Sequence, residues 1–344
     1  MATYLNYPFD PELFLYRWEQ EKDMTQTRII ESGAVQQNAE LASLISKGSD
    51  FFTLPFYGLL DGSPVNYDGA TNITSTSPKG GSQNGVVFGR AKGFTAKNFV
   101  FDFNSGADPM AQIVRQVAKY WRKYDQSVVL GILNAIFGIT GSGTTATWNN
   151  HITDISASGT TVAEQNKVGA TTIGDALQKA CGDAADQFSL AFMHSKVANG
   201  LAGLKLLEYL KYTDANGIER PLNIGYVNGM LVVVDDGCPS TAATESAAAK
   251  YTTYVLGSGA IQTAQAPVQV PVEVARDAAT NGGEDTLYTR RRLTFHPNGF
   301  SFTKPASGYT SSPTDAQLTA TANWSIAEGI DPKSIAMVKI VSNG

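Results

Sequence analysis

Residues 109–137 read PMAQIVRQVAKYWRKYDQSVVLGILNAIF, and this stretch predicts one unusually long helix. Its apolar residues recur every three or four positions, at Met110, Ile113, Val114, Val117, Trp121, Tyr124, Val128, Ile132 and Ile136. This is the period of an amphipathic helix. Asp108 is a suitable N-cap, Pro109 suits the first helical position, and Gly138 can end the helix. At about 1.5 Å per residue the helix is roughly 40 Å long, well beyond the average helix of a globular protein.

The polar face of this predicted helix carries four basic residues, Arg115, Lys119, Arg122 and Lys123. A basic stripe on a helix is usually a solvated face. A surface that faces DNA is the alternative, because lysine and arginine neutralise phosphates. Both interpretations remain open at this point.

On the N-terminal side of the helix, residues 58–98 are rich in Gly, Ser, Thr and Asn, with hardly any apolar periodicity. The two ends, LLDGSPVNY and GVVFGRAKGF, contain short strand-like pieces, which predict a long two-stranded hairpin with a mobile tip. An isolated hairpin is barely stable in water, so we expect this one to lie on a neighbouring subunit. The alternative is a flexible surface loop.

Residues 1–57 are predicted to form an extended arm. Aromatic residues are scattered through its first part without helical or strand periodicity, and Phe9, Phe14 and Trp18 are among them. An amphipathic helix is predicted around Gln36–Lys47, closed by Gly48. Because such an arm has no core of its own, we expect it to pack on the body of the chain or on a neighbour.

On the C-terminal side, helices and strands mix without alternating. A helix capped by Thr172 precedes the strand QFSLAFMHS (187–195), which continues into a helix predicted over Ser195–Leu210. A turn and an apolar strand follow in NIGYVNGMLVVVDD (223–236), with further strands predicted at Tyr251–Gly257 and Val268–Arg276. This arrangement favours an α+β fold over a doubly wound parallel sheet.

Composition restricts the class of protein. The chain has 344 residues, of which 42% are hydrophobic and 17% charged, with a net charge of −5. An acidic balance argues against a dedicated nucleic-acid-binding module. The sequence shows neither a signal peptide nor an apolar run of membrane-spanning length. Its two cysteines, Cys181 and Cys238, are too few for a disulfide framework or a structural zinc site, which favours folding in a reduced cytoplasm.

The sequence offers little catalytic chemistry. His151, His194 and His296 lie in no metal-binding spacing, and there is neither a phosphate-binding loop with its lysine nor a serine nucleophile elbow. Asp235 and Asp236 end an apolar strand and could hold a metal, but other ligands are missing; the structural alternative is that they start a turn. We therefore predict no catalytic residue, no metal site and no cofactor.

Taken in order, these parts are an arm, a polar hairpin-like loop, one very long helix and an α+β region. Their order resembles the major capsid proteins of tailed bacteriophages, which have the Hong Kong 97-like fold. Local motifs support the resemblance: Met193–Ser195 before a helix, the passage from Gly225 to Pro239 with its VVVDD run, His296–Gly299, and Asn323–Trp324 followed by Asp331–Lys333.

The resemblance implies a division of the chain into the family's parts. These are an N-terminal arm (1–57), an E-loop (58–98), a first part of the P-domain with the spine helix (99–160), a region that is mainly A-domain (161–265), and the returning P-domain strands with the C-terminal segment (266–344).

The resemblance also implies a structural role without enzymatic activity. The chain would assemble through pentamers and hexamers into an icosahedral head around packaged double-stranded DNA, with which it makes weak contact. Implied partners are a separate scaffolding protein, a portal and a decoration protein, with no membrane; the chain would be made in the host cytoplasm. Alternatives are an encapsulin-type compartment shell or another ring-forming virion protein such as a tail tube; a hydrolase is a more distant one.

Residues 287–304, LYTRRRLTFHPNGFSFTK, indicate how the late strands carry charge. Strand alternation places Arg290 and Arg292 on one face, and Arg291 on the other, where it needs a carboxylate partner or a sheet edge. His296–Gly299 are predicted to form the turn of a hairpin. The residues we expect at assembly interfaces are Phe9, Phe14, Trp18, Lys79, Arg90, Lys92, Arg290 and Arg292.

Overall fold

The structure is a computed structural model that describes residues 3–4, 7–8, 28–58, 60, 62–77, 80–97, 109–213 and 219–344. Helices and strands mix in it, as the α+β prediction requires. The helices are α1 (Arg28–Glu31), α2 (Ala39–Ile45), α3 (Pro109–Ile136), α4 (Thr144–Trp148), α5 (Thr172–Cys181), α6 (Ser195–Gly203) and α7 (Asp315–Leu318).

The strands fall in two groups along the chain. Before α3 lie β1 (Thr3–Tyr4), β2 (Tyr7–Pro8), β3 (Val35–Gln37), β4 (Phe51–Tyr57), β5 (Gly80–Val86) and β6 (Phe88–Lys97). After it lie β7 (Ile152–Asp154), β8 (Phe188–Met193), β9 (Glu208–Thr213), β10 (Glu219–Val227), β11 (Met230–Val234), β12 (Ser240–Thr241), β13 (Lys250–Gly257), β14 (Ile261–Ala266), β15 (Val272–Asp277), β16 (Glu284–Pro297), β17 (Phe300–Phe302), β18 (Trp324–Ile326) and β19 (Met337–Ser342).

The long helix α3 has 28 residues and ends at Ile136, as its periodicity predicts. The described side chains of its second half are mostly buried from Val128 to Phe137, whereas its first half is largely exposed. Val114 does not belong to the core, because its side chain is 57% exposed. The predicted cap, Asp108, lies outside the described residues. Thus the second half of α3 is anchored in the core, and its first half lies over the sheet that contains β6 and β16.

An eight-stranded sheet forms the larger layer, in the order β7-β19-β13-β8-β11-β10-β9, with β12 paired to β13. Alternation along its strands divides the core. Phe192 and Tyr254 belong to the cluster that contains the second half of α3. Met193 and Val255 belong to the cluster that contains α5 and α6. The sheet is therefore covered by helices on both faces.

A second, five-stranded sheet is built around β16, the longest strand. Strand β6 pairs along one side of β16, and β14 and β15 pair with successive parts of the other side. Strand β3 adds to β14 in parallel. Helix α2 covers this end through Leu41 and Ile45, which pack in a small cluster with Phe52.

Strands β4 and β5 form a separate antiparallel hairpin, in register from Phe51↔Val86 to Tyr57↔Gly80. The first strand of this excursion thus lies at residues 51–57, where we predicted the arm to end, and the described residues of 59–67 contain no strand. The second predicted piece does form strand, but only its first two residues belong to the hairpin strand β5; the rest is β6, which pairs with β16. The apolar side chains of FFTLPFY explain the shift, because they can pack where LLDGSPVNY cannot.

In the part of the chain after α3, four features differ from the predictions. Helix α5 has Thr171 at its N-cap position instead of Thr172. Helix α6 ends at Gly203 rather than Leu210, since the chain turns at Lys205 with φ of 57° and enters β9. The strand predicted over Val268–Arg276 begins only at Val272 and runs to Asp277 as β15, and β14 before it was not predicted.

The fourth difference concerns the hairpin predicted around His296–Gly299. Strand β16 continues through Pro297, and the short strand β17 leaves it to pair with β18 instead. Gly299, at φ of 92°, redirects the chain. Phe300 then packs edge-on against Trp148 in the main core. Burial of aromatic rings therefore outweighs local pairing here.

Candidate assembly surfaces

The base of the β4–β5 hairpin is fixed firmly to the body of the protein. Gln83 lies in β5, and its Oε1 accepts hydrogen bonds from Gly299 N at 3.1 Å and from His296 Nε2 at 3.1 Å. The backbone N–H of Asn84 donates to Ser301 Oγ at 3.2 Å. A side chain at Gly85 would collide with the ring of Phe52, since an added Cβ would lie 2.0 Å from it. The hairpin therefore emerges from a rigid, specific seat.

The tip of this hairpin is, in contrast, almost entirely exposed. Four large apolar side chains are exposed at the end of β4 and in the segment that follows it: Tyr57 (84% exposed), Leu60 (76%), Tyr67 (93%) and Ile73 (78%). Asp68 accepts hydrogen bonds from the backbone N–H groups of Ala70 and Thr71, which hold its pKa well below the usual range. The tip thus presents apolar groups and a carboxylate that stays ionised, with no core beneath them.

The arginine triplet of β16 divides by face, as the alternation predicts. Arg291 turns towards α3 and forms a two-pronged ion pair with Asp125, with Nη1 to Oδ2 at 2.8 Å. Its guanidinium lies over the ring of Trp121, 4.0 Å from the centroid. Burial raises the pKa of Asp125, although hydrogen bonds and the charge of Arg291 oppose this. Arg291 therefore clamps the long helix onto the sheet, and the prediction that it needs a carboxylate is confirmed.

A second link between helix and sheet lies beside this clamp. Arg90 on β6 contacts Asp315 on α7 at 2.6 Å, and Tyr124 on α3 donates its hydroxyl proton to the same carboxylate at 2.5 Å. Burial, and then the Asp315 hydrogen bond, raise the pKa of Tyr124 to about 12. Burial also tends to raise the pKa of Asp315, but the bonds from Tyr124 and Arg90 outweigh it and leave that pKa lowered. The described contacts of Arg90 lie within its own chain, and its assembly role stays a prediction.

Arg290 and Arg292 lie on the opposite face from Arg291. Arg290 contacts Glu273 of β15 at 2.9 Å, and Arg292 contacts Asp50, next to the hairpin, at 3.3 Å. Both guanidinium groups remain partly exposed. Partly exposed ion pairs contribute little to folding, so these two residues are free to serve a contact with another chain. That role stays a prediction.

The exposed first half of α3 carries the basic stripe. Lys119, Arg122 and Lys123 are exposed there, and the side chain of Arg115 lies outside the described residues. Tyr120, on the same half of the helix, meets Phe94 of β6 edge-on at 5.3 Å. The structure thus leaves both interpretations of the stripe open.

The other predicted interface residues differ in what the structure says of them. Lys92 is exposed on β6, and its backbone carbonyl accepts a hydrogen bond from Thr289 Oγ1 at 3.1 Å. Phe9, Phe14, Trp18 and Lys79 lie outside the described residues. Their roles stay predictions.

The groups weighed for catalysis have structural partners. His151 is stacked on Trp148 with its Nδ1 2.8 Å from the Met337 carbonyl oxygen, and buried His296 contacts Gln83. Asp235 Oδ1 accepts from the Gly237 N–H at 2.8 Å, which is the turn that the sequence favours. Within the described residues no cluster of histidine, cysteine or carboxylate side chains is arranged for a metal ion, and no helix is both long and apolar enough to cross a bilayer.

Sequence reasoning missed two features of this surface. Asp125 lies one turn after Trp121 on the face of α3 that meets Arg291, and this spacing was a usable signal for the clamp. The second is strand β15, whose six residues are all exposed although its sequence is rich in valine. Alternating valines predict a strand but not whether anything covers it.

Comparison with known proteins shows what the chain is similar to. No family model matches the chain. The chain is 29% identical to the major capsid protein of Bacillus phage SPP1 over 313 residues, which is 90% of this chain and 89% of that protein.

Solved structures show the same fold at low identity. The capsid of cyanophage Pam1 matches with a TM-score of 0.60 and 12% identity over 94% of both chains. The capsid of Ralstonia phage GP4 matches at 0.55 and 11% identity, over 90% of this chain and 87% of that one. The head of Helicobacter pylori bacteriophage KHP40 matches at 0.52 and 10% identity, over 94% and 93%. The sequence match runs along nine-tenths of both chains and makes this chain similar to a phage major capsid protein, and the solved structures show that it has the fold of phage capsid subunits.

Proposed function

We propose that this chain is the structural major capsid protein of a tailed phage, which assembles through pentamers and hexamers into an icosahedral head around packaged double-stranded DNA. The observation that carries the proposal is the sequence match to a major capsid protein along nine-tenths of both chains. The surface of the described chain supports it, because exposed apolar and charged groups are concentrated on projecting elements rather than around a cavity with catalytic groups.

The family's parts are proposed for this chain on the same basis. The β4–β5 hairpin with its tip is the E-loop, α3 with β6, β15 and β16 is the P-domain, and the eight-stranded sheet with α5 and α6 is mainly the A-domain. Within the N-terminal arm predicted over residues 1–57, Phe9, Phe14 and Trp18 act as anchors on a neighbour. A scaffolding protein, a portal and a decoration protein are the proposed partners besides further copies of the chain.

Closed rings of five or six need heterologous contacts, in which one surface of a subunit meets a different surface of the next. The hairpin tip is suited to be one of these surfaces. It exposes Leu60, Tyr67 and Ile73 with no core of its own, and apolar groups of this size gain roughly 1.5–3 kcal/mol each when fully buried. A rigid base and an unsupported tip favour a tip that lies on the adjacent subunit.

The first half of α3 is one such neighbouring surface. It exposes Val114 at 57% and Tyr120 at 39%, beside the basic residues Lys119 and Lys123. The ionised carboxylate of Asp68 at the hairpin tip complements that charge. Opposite charges at a contact guide encounter and fix register.

Electron microscopy tests the assembly proposal directly. The full chain is overexpressed with and without the co-expressed scaffolding protein, and closed icosahedral particles or rings are the expected products. The matched variant lacks residues 62–77 and joins Asp61 to Pro78 through a short Gly/Ser linker; β4, β5 and the Gln83 seat are kept.

This variant should unfold at the same temperature as the parent, since the removed side chains are exposed, yet form no closed particles. Normal particles from the variant would refute the role of the hairpin tip. A parent chain that stays monomeric under both conditions would refute the capsid proposal itself.

A further inference from the structure

All six residues of strand β15 are exposed, its two valines among them. Valines alternate through the segment PVQVPVEVARD (267–277), and Val270, Val272 and Val274 are 43%, 58% and 60% exposed. Natural proteins usually protect an edge strand with lysine, an inward charge or a covering loop. In the described sheet, β15 is a terminal strand beyond β16. It presents Val272 and Val274 beside the charged residues Glu273, Arg276 and Asp277, and Val270 lies just before it.

The hydrogen-bonding pattern shows which groups of β15 face outward. Arg290 N donates to Pro271 O at 2.8 Å, so Pro271 faces β16. Along an antiparallel strand, backbone groups point alternately to one side and the other. Val272 and Val274 therefore turn their N–H and C=O groups away from β16, towards the open edge, where they can accept another strand.

We propose that β15 pairs with β15 of a second copy, antiparallel, across a two-fold axis that passes at Val274. The pairing joins two five-stranded sheets edge to edge. It rests on the proposed function, because it describes a contact within the shell, and it names a different contact from that of the hairpin tip.

The register follows from charge. A two-fold axis perpendicular to the sheet keeps each residue on its own face, so opposite residues must both be even-numbered or both odd-numbered. A shift by one residue in one direction sets Glu273 opposite its own copy, and in the other direction sets Glu273 opposite Asp277. Like charges directly opposite destabilise a strand pair. With the axis at Val274, Glu273 lies opposite Ala275, and Val272 lies opposite Arg276.

The second copy fits this edge better than the neighbouring hairpin tip does. Residues 62–77 contain one charged residue, Asp68, which would add a carboxylate beside Glu273 and Asp277. These tip residues also form no strand in the structure.

A two-fold contact also has a defined place in a shell. A two-fold contact uses the same surface on both copies and closes after two, so it cannot build a ring of five or six. Heterologous contacts build the rings, and the β15 pair then joins one ring to the next. An icosahedral shell contains such two-fold relations between its rings.

Single-cysteine cross-linking tests the proposal. Val274→Cys places a thiol next to its own copy on the axis, whereas Val272→Cys places it about 13 Å from its copy, four residues along the strands at about 3.3 Å each. The two positions are matched in residue type, face and exposure. The native thiols of Cys181 and Cys238 are both buried and give the same background in each variant.

Assembled particles of the parent and both variants are treated with copper-catalysed oxidation or a short bismaleimide, and the chains are separated by denaturing electrophoresis. The expected result is at least a five-fold larger dimer fraction for V274C than for V272C. Equal dimer fractions, or none in either variant, would overturn the β15 pairing.

A third variant distinguishes the competing occupant. If V274C cross-links to Ile73→Cys in mixed particles but not to itself, the hairpin tip covers the edge and the proposal is wrong. Particles of normal shape without a V274C dimer would refute the strand contact but leave the capsid function standing. A parent chain that forms no particles would refute both.

Discussion

At the scale of single residues, the clamp between Arg291 and Asp125 decides how α3 sits on the sheet. Both side chains are largely buried, at 23% and 16% exposure, and the guanidinium also covers Trp121. Removing one partner of such a pair leaves the other charge buried without compensation. Loss of either side chain should therefore destabilise the packing of α3 on the sheet.

We expect Asp125→Ala to lower the free energy of unfolding of the soluble subunit by about 2–3 kcal/mol, slightly less than a fully buried pair would give. Glu273→Ala is the matched control, since it removes the carboxylate from Arg290 in an exposed pair and should change stability by less than about 1 kcal/mol. Urea unfolding followed by tryptophan fluorescence measures both. Equal losses in the two variants would contradict the clamp.

The second residue-scale prediction concerns His296, which is 1% exposed. Burial lowers its pKa from 6.5 to about 4. Between these pH values the unfolded chain therefore binds more protons than the folded chain. The stability that depends on neutral His296 is fully present above about pH 6.5 and is lost as the pH falls towards 4. The shift in pKa corresponds to a loss of up to about 3 kcal/mol in the free energy of unfolding.

His296→Gln keeps a polar group near Gln83 but cannot titrate. We expect the difference in free energy of unfolding between parent and variant to fall by about that amount from pH 7 to pH 4, because other groups titrate equally in both. Urea midpoints at a series of pH values measure it. A difference that stays constant with pH would show that His296 is not protected from protonation.

At the scale of elements, β16 organises the second sheet and uses its two faces differently. The face of Arg291 meets α3, whereas Arg290 and Arg292 stand on the other face with exposed partners. One strand therefore places neighbouring residues of the same type in two environments, one against α3 and one partly exposed.

Charge reversal along this strand should separate the two roles. We expect Arg290→Glu and Arg292→Glu to yield folded subunits, with unfolding temperatures close to that of the parent, but at least a ten-fold lower yield of closed particles. Arg291→Glu is the internal control, because it sets two carboxylates together beside Trp121 and should abolish soluble subunit. Sedimentation of the soluble fraction and circular dichroism measure both quantities. Equal loss of soluble subunit in all three variants would contradict the division.

At the scale of the whole molecule, charge is distributed unevenly. The chain has a net charge of −5, yet the first half of α3 exposes Lys119, Arg122 and Lys123. An acidic shell avoids the strong non-specific affinity that many phosphate contacts would give. A small basic area is compatible with the weak DNA contact predicted from the sequence.

We expect the double variant Lys119→Gln/Lys123→Gln to bind double-stranded DNA more weakly than the parent subunit at low salt. The slope of the logarithm of affinity against the logarithm of salt concentration should become shallower by an amount that corresponds to about two phosphate contacts. Lys92→Gln/Lys97→Gln on β6 is a control with the same charge change. Gel retardation at several salt concentrations measures this. If both double variants bind DNA alike, the stripe has no special role.

The elements whose signal is local follow from the amino-acid sequence alone. The apolar period of three to four along residues 109–137 specifies α3, a helix of 28 residues, almost to the residue at its C-terminal end, because a long amphipathic pattern has one compact solution. Alternation in β16 likewise put Arg291 on the buried face, and the order of the parts with their local motifs indicated the capsid family.

The partners of these elements, in contrast, become known only from the folded structure. It showed that β17 pairs with β18 rather than β16, that the hairpin begins at Phe51, that Asp125 neutralises Arg291, and that the valines of β15 stay uncovered. In each case the choice depends on burial and pairing between residues far apart in the chain. A valine has the same strand preference in the core and at an open edge, so its surroundings, not its sequence, make β15 a surface for another copy.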